Sequence, residues 1–148
     1  MDISRITKQL YIAAHPKAED ADTIRDMNVR LILNMIFIRP AEVYRYPPFR
    51  MLTLRTFDSI FLPIPIGKLV KGVKAALPVI ESGESVLVYC REGRHRSVAM
   101  AAAVLIGQGN SAEEAMQLIS SKRLKADPYA WHIRRRIHKF EEIWRGEH

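Results

Sequence analysis

The chain holds a single cysteine, Cys90, among its 148 residues. That excludes an intrachain disulfide and any multi-cysteine metal site, and it suits a reducing compartment. No apolar run reaches the roughly eighteen residues that a bilayer span requires. The N-terminus, Met1-Asp2-Ile3-Ser4-Arg5-Ile6, lacks the basic-then-apolar stretch and small-residue cleavage site of a secretory signal, so a cytoplasmic location is expected. Internal repeats, low-complexity tracts and Gly/Ser linkers are missing too, and the length suits one domain over residues 1–148. Negative charge is scarce: 16 acidic residues face 23 basic ones, a formal net charge of +7. Such an excess either attracts anionic partners (phosphorylated molecules, nucleic acid, an acidic membrane surface) or serves solubility alone.

What is present is an alternation of short apolar runs and amphipathic stretches, which predicts an α/β fold. Residues 9–13 (QLYIA) read as a first strand, with Pro16 opening a polar helix that runs to about Asn28. Residues 29–37 (VRLILNMIF) read as a buried strand, 39–48 as a proline-punctuated loop, and 51–54 (MLTL) as a third strand. A loop over 56–65 precedes a helix over 67–81, and Ser82-Gly83 marks a turn. Residues 85–89 (SVLVY) are apolar at nearly every position, as a central strand covered on both faces must be. Downstream the chain turns helical: an Ala-rich buried helix over 97–108, then a helix to about Arg123 opened by the capping box Ser111 and Glu114. A last helix begins at Asp127-Pro128. The expected core is a mostly parallel sheet of four to five strands flanked by helices.

The chemically informative segment is Val88-Tyr89-Cys90-Arg91-Glu92-Gly93-Arg94-His95-Arg96-Ser97. A buried strand ends at the lone cysteine, five residues with a central glycine follow, and then come Arg, Ser and a helix. A strand-to-helix loop of this length can curl its backbone N–H groups inward, making an anion-binding nest at the positive end of the helix dipole. Gly93 permits a backbone conformation that other residues resist. Arg96 can grip two phosphate oxygens bidentately. Cys90 sits on the floor of the nest, where the field that attracts phosphate also favours a thiolate. Ser97 can hydrogen-bond the sulfur. Residues 91–96, Arg91, Glu92, Gly93, Arg94, His95 and Arg96, are the candidate phosphate cradle.

Cys-x5-Arg-Ser after an apolar strand resembles the signature of the cysteine-based protein tyrosine phosphatases, and the short chain is most similar to their compact dual-specificity branch. The resemblance extends to Leu10-Tyr11-Ile12 and to the helix-then-strand ending near Leu33-Asn34. It implies hydrolysis of phosphomonoesters through a phosphocysteine intermediate, with no cofactor and no metal. It also implies an aspartic general acid on the loop after the third strand, and Asp58, in Arg55-Thr56-Phe57-Asp58-Ser59, occupies that place. The expected substrate is protein phosphotyrosine, with phosphoserine and phosphothreonine admitted by a shallow pocket. The alternatives are phosphoinositides or inositol phosphates and, more distantly, the 5′ phosphates of RNA. The family usually has His before the cysteine, where this chain has Tyr89. Glu92 stands where a small residue is common, and its carboxylate opposes phosphate unless it points outward and pairs with Arg55 or another cation.

The basic loop residues Arg91 and Arg94 are similar to those of phosphoinositide phosphatases; otherwise, with His95, they form a solvated rim. Asp127 resembles the Asp-Pro acid of low-molecular-weight tyrosine phosphatases, but the chain order is wrong and a helix N-cap explains it. On the last helix Trp131, Ile133, Ile137, Phe140 and Trp144 form an apolar stripe beneath Arg134-Arg135-Arg136, Lys139 and Arg145. His15, His132 and His138 show no metal-ligand spacing and read as surface or packed residues. Two other functions compete: a non-catalytic phosphate-binding module, against which Cys90, Arg96, Ser97 and Asp58 argue, and sulfur transfer by a rhodanese-like cysteine loop, against which the five-residue spacing, Ser97 and the candidate acid argue. The partner is expected to be a phosphorylated protein or a phosphoinositide, not nucleic acid.

Overall fold

The structure is a computed structural model that describes residues 1–147. Its centre is a five-stranded sheet: β1 (Ile3–Thr7), β2 (Leu10–Ala13), β3 (Val29–Asn34), β4 (Arg50–Thr53) and β5 (Ser85–Tyr89), in the order β1-β2-β5-β3-β4. The β1/β2 pair is antiparallel and every other pairing is parallel. As its unbroken apolar run predicts, β5 lies in the middle and all five of its residues are buried. Full burial of each of Val86, Leu87 and Val88 contributes about 1.5–3 kcal/mol.

The described residues form five α-helices: α1 (Ala21–Asp26), α2 (Ile66–Glu81), α3 (Arg96–Gly107), α4 (Ala112–Lys122) and α5 (Trp131–Glu147). Helix α3 is buried on every side from Ser97 to Ile106, because it touches β2 and β5 on one flank and α2, α4 and α5 on the others. Its alanines and Gly72 of α2 let backbones come close: a Cβ on Gly72 would stand 2.5 Å from Met100 Sδ. The capping box forms as predicted, Ser111 Oγ accepting from the Glu114 N–H and Glu114 Oε1 accepting from the Ser111 N–H.

Four local expectations are corrected. Strand β1 was not expected; with only Ile3 and Ile6 apolar, it is held as an edge by pairing with β2. Pro16 does not open a helix: a 3-10 turn, Ala18–Asp20, leads into the short α1, and Asp20 accepts the Lys17 N–H. Asp127 is not an N-cap, since α5 begins at Trp131 and the Asp127 carboxylate turns instead toward Arg94 and His95. Trp131 leaves the apolar stripe; it is 60% exposed beneath the Arg135 guanidinium, while Ile133, Ile137, Phe140 and Trp144 make the buried face.

This topology positions the site. Tyr89 pairs in register with Ala13 of β2 and Asn34 of β3, so the carboxyl ends of three parallel strands finish level, one residue before Cys90. Open α/β sheets bind ligands at that edge.

Candidate active site

Residues 90–95 connect β5 to α3 and curl around the Cys90 sulfur. Gly93, at φ +67°, donates its N–H to Cys90 Sγ at 3.3 Å, and Ser97 Oγ lies 3.1 Å from the same sulfur. A Cβ on Gly93 would stand 2.9 Å from the Ala13 backbone and overlap the Arg123 guanidinium. Both the backbone angle and the close approach therefore require glycine.

Arg96 is anchored at one end only. Its Nη1 donates to the Thr56 carbonyl at 3.0 Å, and Thr56 is fixed in turn by donating its N–H and Oγ1 to the Met35 carbonyl. Its Nε is buried without a hydrogen-bond partner among the described residues. A buried guanidinium N–H left open costs free energy unless a ligand accepts it, and an oxyanion in the loop is the acceptor its chemistry fits.

The rest of the loop is held from outside by a residue that the sequence did not flag. Arg123, just past α4, is 2% exposed. It donates Nε to the Gly93 carbonyl at 2.7 Å and Nη2 to the Glu92 carbonyl at 3.0 Å. On its other side it meets Asp2 at 2.9 and 3.1 Å and Ser4 Oγ at 3.1 Å. Arg123 thus takes the Glu92 and Gly93 carbonyls on the outside of the loop, while the Gly93 N–H faces the sulfur within. Glu92 points outward as its charge demands; its partner is Lys125 at 3.5 Å, while Arg55 lies against the Phe37 ring instead. Arg91 is exposed, and so is Arg94, which faces Asp127 at 3.8 Å.

Tyr89, in the position where histidine is usual, is fully buried and stacks on His15 with ring centroids 5.5 Å apart. Burial pushes its phenol above the ordinary range and lowers the His15 imidazole. The His15 N–H also reaches the Arg91 carbonyl at 3.4 Å. His15 is thus a packed residue, as expected.

Asp58 arrives from the loop after β4 and meets the cysteine loop at His95, with Oδ2 2.9 Å from His95 Nδ1. Its other oxygen, Oδ1, is 2.8 Å from His132 Nε2 on α5. Burial would raise this carboxyl, but the hydrogen bonds and charges of His132 and His95 outweigh burial and hold it below the usual carboxylate value. His132 was expected as a surface or packed residue, and neither it nor His95 was expected in a ligand set. The fold instead brings Asp58, His95 and His132 together with ligand atoms all within 4.8 Å. They come from three separate segments, which no spacing in the sequence relates. Around this edge Phe37, Phe57, Ile60, Phe61 and Leu62 stand exposed, the rings of Phe37 and Phe57 4.9 Å apart.

No protein-family model matches the chain. Among curated proteins it is 31% identical over 146 residues to the mouse phosphatidylglycerophosphatase and protein-tyrosine phosphatase 1, covering 91% of this chain and 75% of that one. It is 30% identical over 134 residues to the fission yeast tyrosine-protein phosphatase yvh1, covering 90% of this chain and 40% of that longer protein. Among solved structures, PTPMT1 in complex with PI(5)P superposes with a TM-score of 0.85 at 25% identity, over 98% of this chain and 97% of that one. Human DUSP28 has the same fold, with a TM-score of 0.86 at 24% identity over 98% and 99% of the two chains. The strand, loop and helix around Cys90 and these likenesses, over nearly the whole length, lead to one assignment: the chain belongs to the cysteine-based protein tyrosine phosphatase superfamily, in its compact dual-specificity-like branch.

Proposed function

We propose that the protein hydrolyses phosphomonoesters through a phosphocysteine intermediate on Cys90, with phosphotyrosine in proteins as its substrate and phosphoserine and phosphothreonine as slower ones. The observation that carries this reading is a sulfur held by Ser97 and the Gly93 N–H in the same loop as a buried, unpartnered Arg96 Nε. The Cys90 thiolate attacks phosphorus, the S–P bond forms and the ester P–O bond breaks. The leaving oxygen takes a proton from Asp58, and Arg96 with the loop N–H groups holds the three equatorial oxygens. In the second step the Asp58 carboxylate removes a proton from water, which attacks phosphorus. The S–P bond breaks, inorganic phosphate leaves, and Ser97 steadies the departing thiolate. Arg91, Glu92, Gly93, Arg94 and His95 contribute backbone to the cradle, with Arg91 and Arg94 adding positive charge at its rim. The neighbouring Phe37 and Phe57 rings give a phosphorylated tyrosine an apolar surface to lie on.

The test is acid quenching during turnover of labelled phosphotyrosine peptide. Wild type is expected to retain label on Cys90, Cys90→Ser to lose all turnover while still binding peptide, and Asp58→Asn to slow by about a hundred- to ten-thousand-fold. Unimpaired turnover by Cys90→Ser would remove the cysteine from the mechanism, and binding without turnover by wild type would leave a phosphate-binding module.

A second reading, phosphoinositide hydrolysis, is favoured by the exposed Ile60, Phe61 and Leu62 beside a basic rim, with Phe61 84% exposed. A loop of that kind suits a lipid surface, and a relative's name includes a phosphatidylglycerophosphatase activity. Measuring kcat/KM on phosphotyrosine peptide, phosphoserine peptide and phosphoinositide in vesicles decides between the two. The leading reading expects the first to be highest; a lipid value tenfold above it would install the second.

A further inference from the structure

We propose that Asp58, His95 and His132 form a binding site for a divalent transition-metal ion of the zinc type, which switches the Cys90 centre off reversibly. The donor set is one carboxylate and two imidazoles, the nitrogen and oxygen chemistry that zinc takes. Each donor comes from a different segment: the loop after β4, the cysteine loop and α5. Asp58 Oδ2 lies 2.9 Å from His95 Nδ1 and Oδ1 lies 2.8 Å from His132 Nε2. The two imidazole rings stand edge to face with centroids 5.1 Å apart. His95 and His132 are partly shielded while Asp58 is exposed, and the ligand atoms fall within 4.8 Å of one another.

A tetrahedral zinc ion with bonds of about 2.0–2.2 Å separates its ligand atoms by roughly 3.4 Å. The three donors already bracket that spacing, and the hydrogen-bonded pairs need to part by about half an ångström to admit the ion. Asp58 sits on a loop, so its side chain can make that adjustment without moving the sheet. The outer nitrogen of His95 is buried without a hydrogen bond among the described residues, with the Asp127 carboxylate the nearest acceptor. Its Nε2 faces Asp127 Oδ2 at 3.5 Å, so a proton on Nε2 directed at this carboxylate leaves the Nδ1 lone pair free for the ion. Asp58 and Asp127 together balance the dication against Arg94, Arg135 and Arg136 nearby. The fourth position stays open to solvent. The ion would occupy the carboxylate oxygen that the reading above uses for proton transfer, so metal binding and turnover exclude each other.

The inference rests on the phosphatase reading only for its consequence; the site itself is tested by binding. Cys90 is the rival ligand, so the titrations use Cys90→Ser. Equilibrium dialysis with Zn2+ is expected to give one ion per chain in wild type and in Cys90→Ser alike. In the Cys90→Ser background His132→Gln and His95→Gln are each expected to weaken binding at least tenfold, with unchanged melting temperatures showing that they fold. Asp127→Asn, which keeps all three ligands, is expected to weaken it less. Co2+ is expected to give tetrahedral visible absorption without a thiolate charge-transfer band. Loss of zinc in Cys90→Ser, wild-type affinity in His132→Gln, or no binding at millimolar Zn2+ would each overturn the site. None of these results depends on whether the chain hydrolyses phosphate. Inhibition by Zn2+ that a chelator reverses in wild type would then connect the site to turnover.

Discussion

The Asp58 carboxylate is subject to two opposing influences: burial favours its neutral form, and His132 and His95 favour its charged form and win. The proposed first step uses the neutral form, so the histidines reduce the fraction ready to donate as pH rises above the depressed value. Removing one histidine raises the Asp58 pKa. His132→Gln is therefore expected to move the descending limb of the kcat/KM profile toward higher pH, measured with chelator present. A limb that stayed in place or moved toward acid would mean that the leaving group's proton comes from elsewhere. At this scale the sequence exposed only what lies together in the chain. Cys90, Arg96 and Ser97 share one loop, and Asp58 follows from the resemblance. His132 was illegible because its partner lies 37 residues from His95 and 74 from His132 itself; one histidine on a basic amphipathic helix carries no mark of what it faces. Asp127 misled for a related reason: Asp-Pro is a strong local cap signal, but α5 begins only at Trp131 and the carboxylate lies beside Arg94 and His95.

The loop between β5 and α3 has its conformation imposed from outside by Arg123. Two loop carbonyls and the Asp2 carboxylate share this buried guanidinium, so its loss strands several polar groups at once. Arg123→Met is expected to destabilise the fold by about 2–4 kcal/mol, chiefly through the loop carbonyls it leaves unpaired, and to lower kcat/KM as the loop relaxes, checked by chemical denaturation and by assay below the melting range. Denaturation coincident with wild type would refute the buttress. The tie has a pH dependence as well. Burial would raise the Asp2 carboxyl, but hydrogen bonds from Lys125 and Arg123 hold it below 3.8. Its stabilisation is present above the unfolded value near 3.8 and is lost as pH falls through the lower folded value, so Asp2→Asn should blunt part of the acid-induced loss of stability. Elements were legible where burial is uniform, apolar residues recur at helical spacing or caps are local, as in β5, α2 and α4 respectively. Strand β1 was not legible, because an edge strand with two apolar residues gains its order from β2 and from the Asp2–Arg123 contact. Neither is visible in five residues of sequence.

Over the whole molecule, a net charge of +7 leaves two accounts of how it meets anions, diffuse attraction or one built nest, and thermal stability separates them. An oxyanion that binds only the folded state stabilises it by RT ln(1 + [L]/Kd), about 2.7 kcal/mol at a hundred times Kd. For a chain of this length that corresponds to roughly 5–10 °C in Tm. Tungstate, a tetrahedral oxyanion, is expected to raise Tm by this amount in wild type and in Cys90→Ser, because the proposed anion cradle of loop N–H groups and Arg96 does not need the sulfur as nucleophile. Chloride at equal ionic strength is expected to leave Tm unchanged to within a degree or so, since screening of separated surface charges is weak and unspecific. Arg96→Lys keeps the net charge and removes the planar donor pair, including the buried Nε that has no other partner. It is expected to lose most of the tungstate shift. A shift in Arg96→Lys as large as in wild type, or one matched by chloride, would assign the stabilisation to the general field of the domain. The cysteine loop would then hold no more anion than any other basic turn, and the proposed chemistry at Cys90 would lack its binding step.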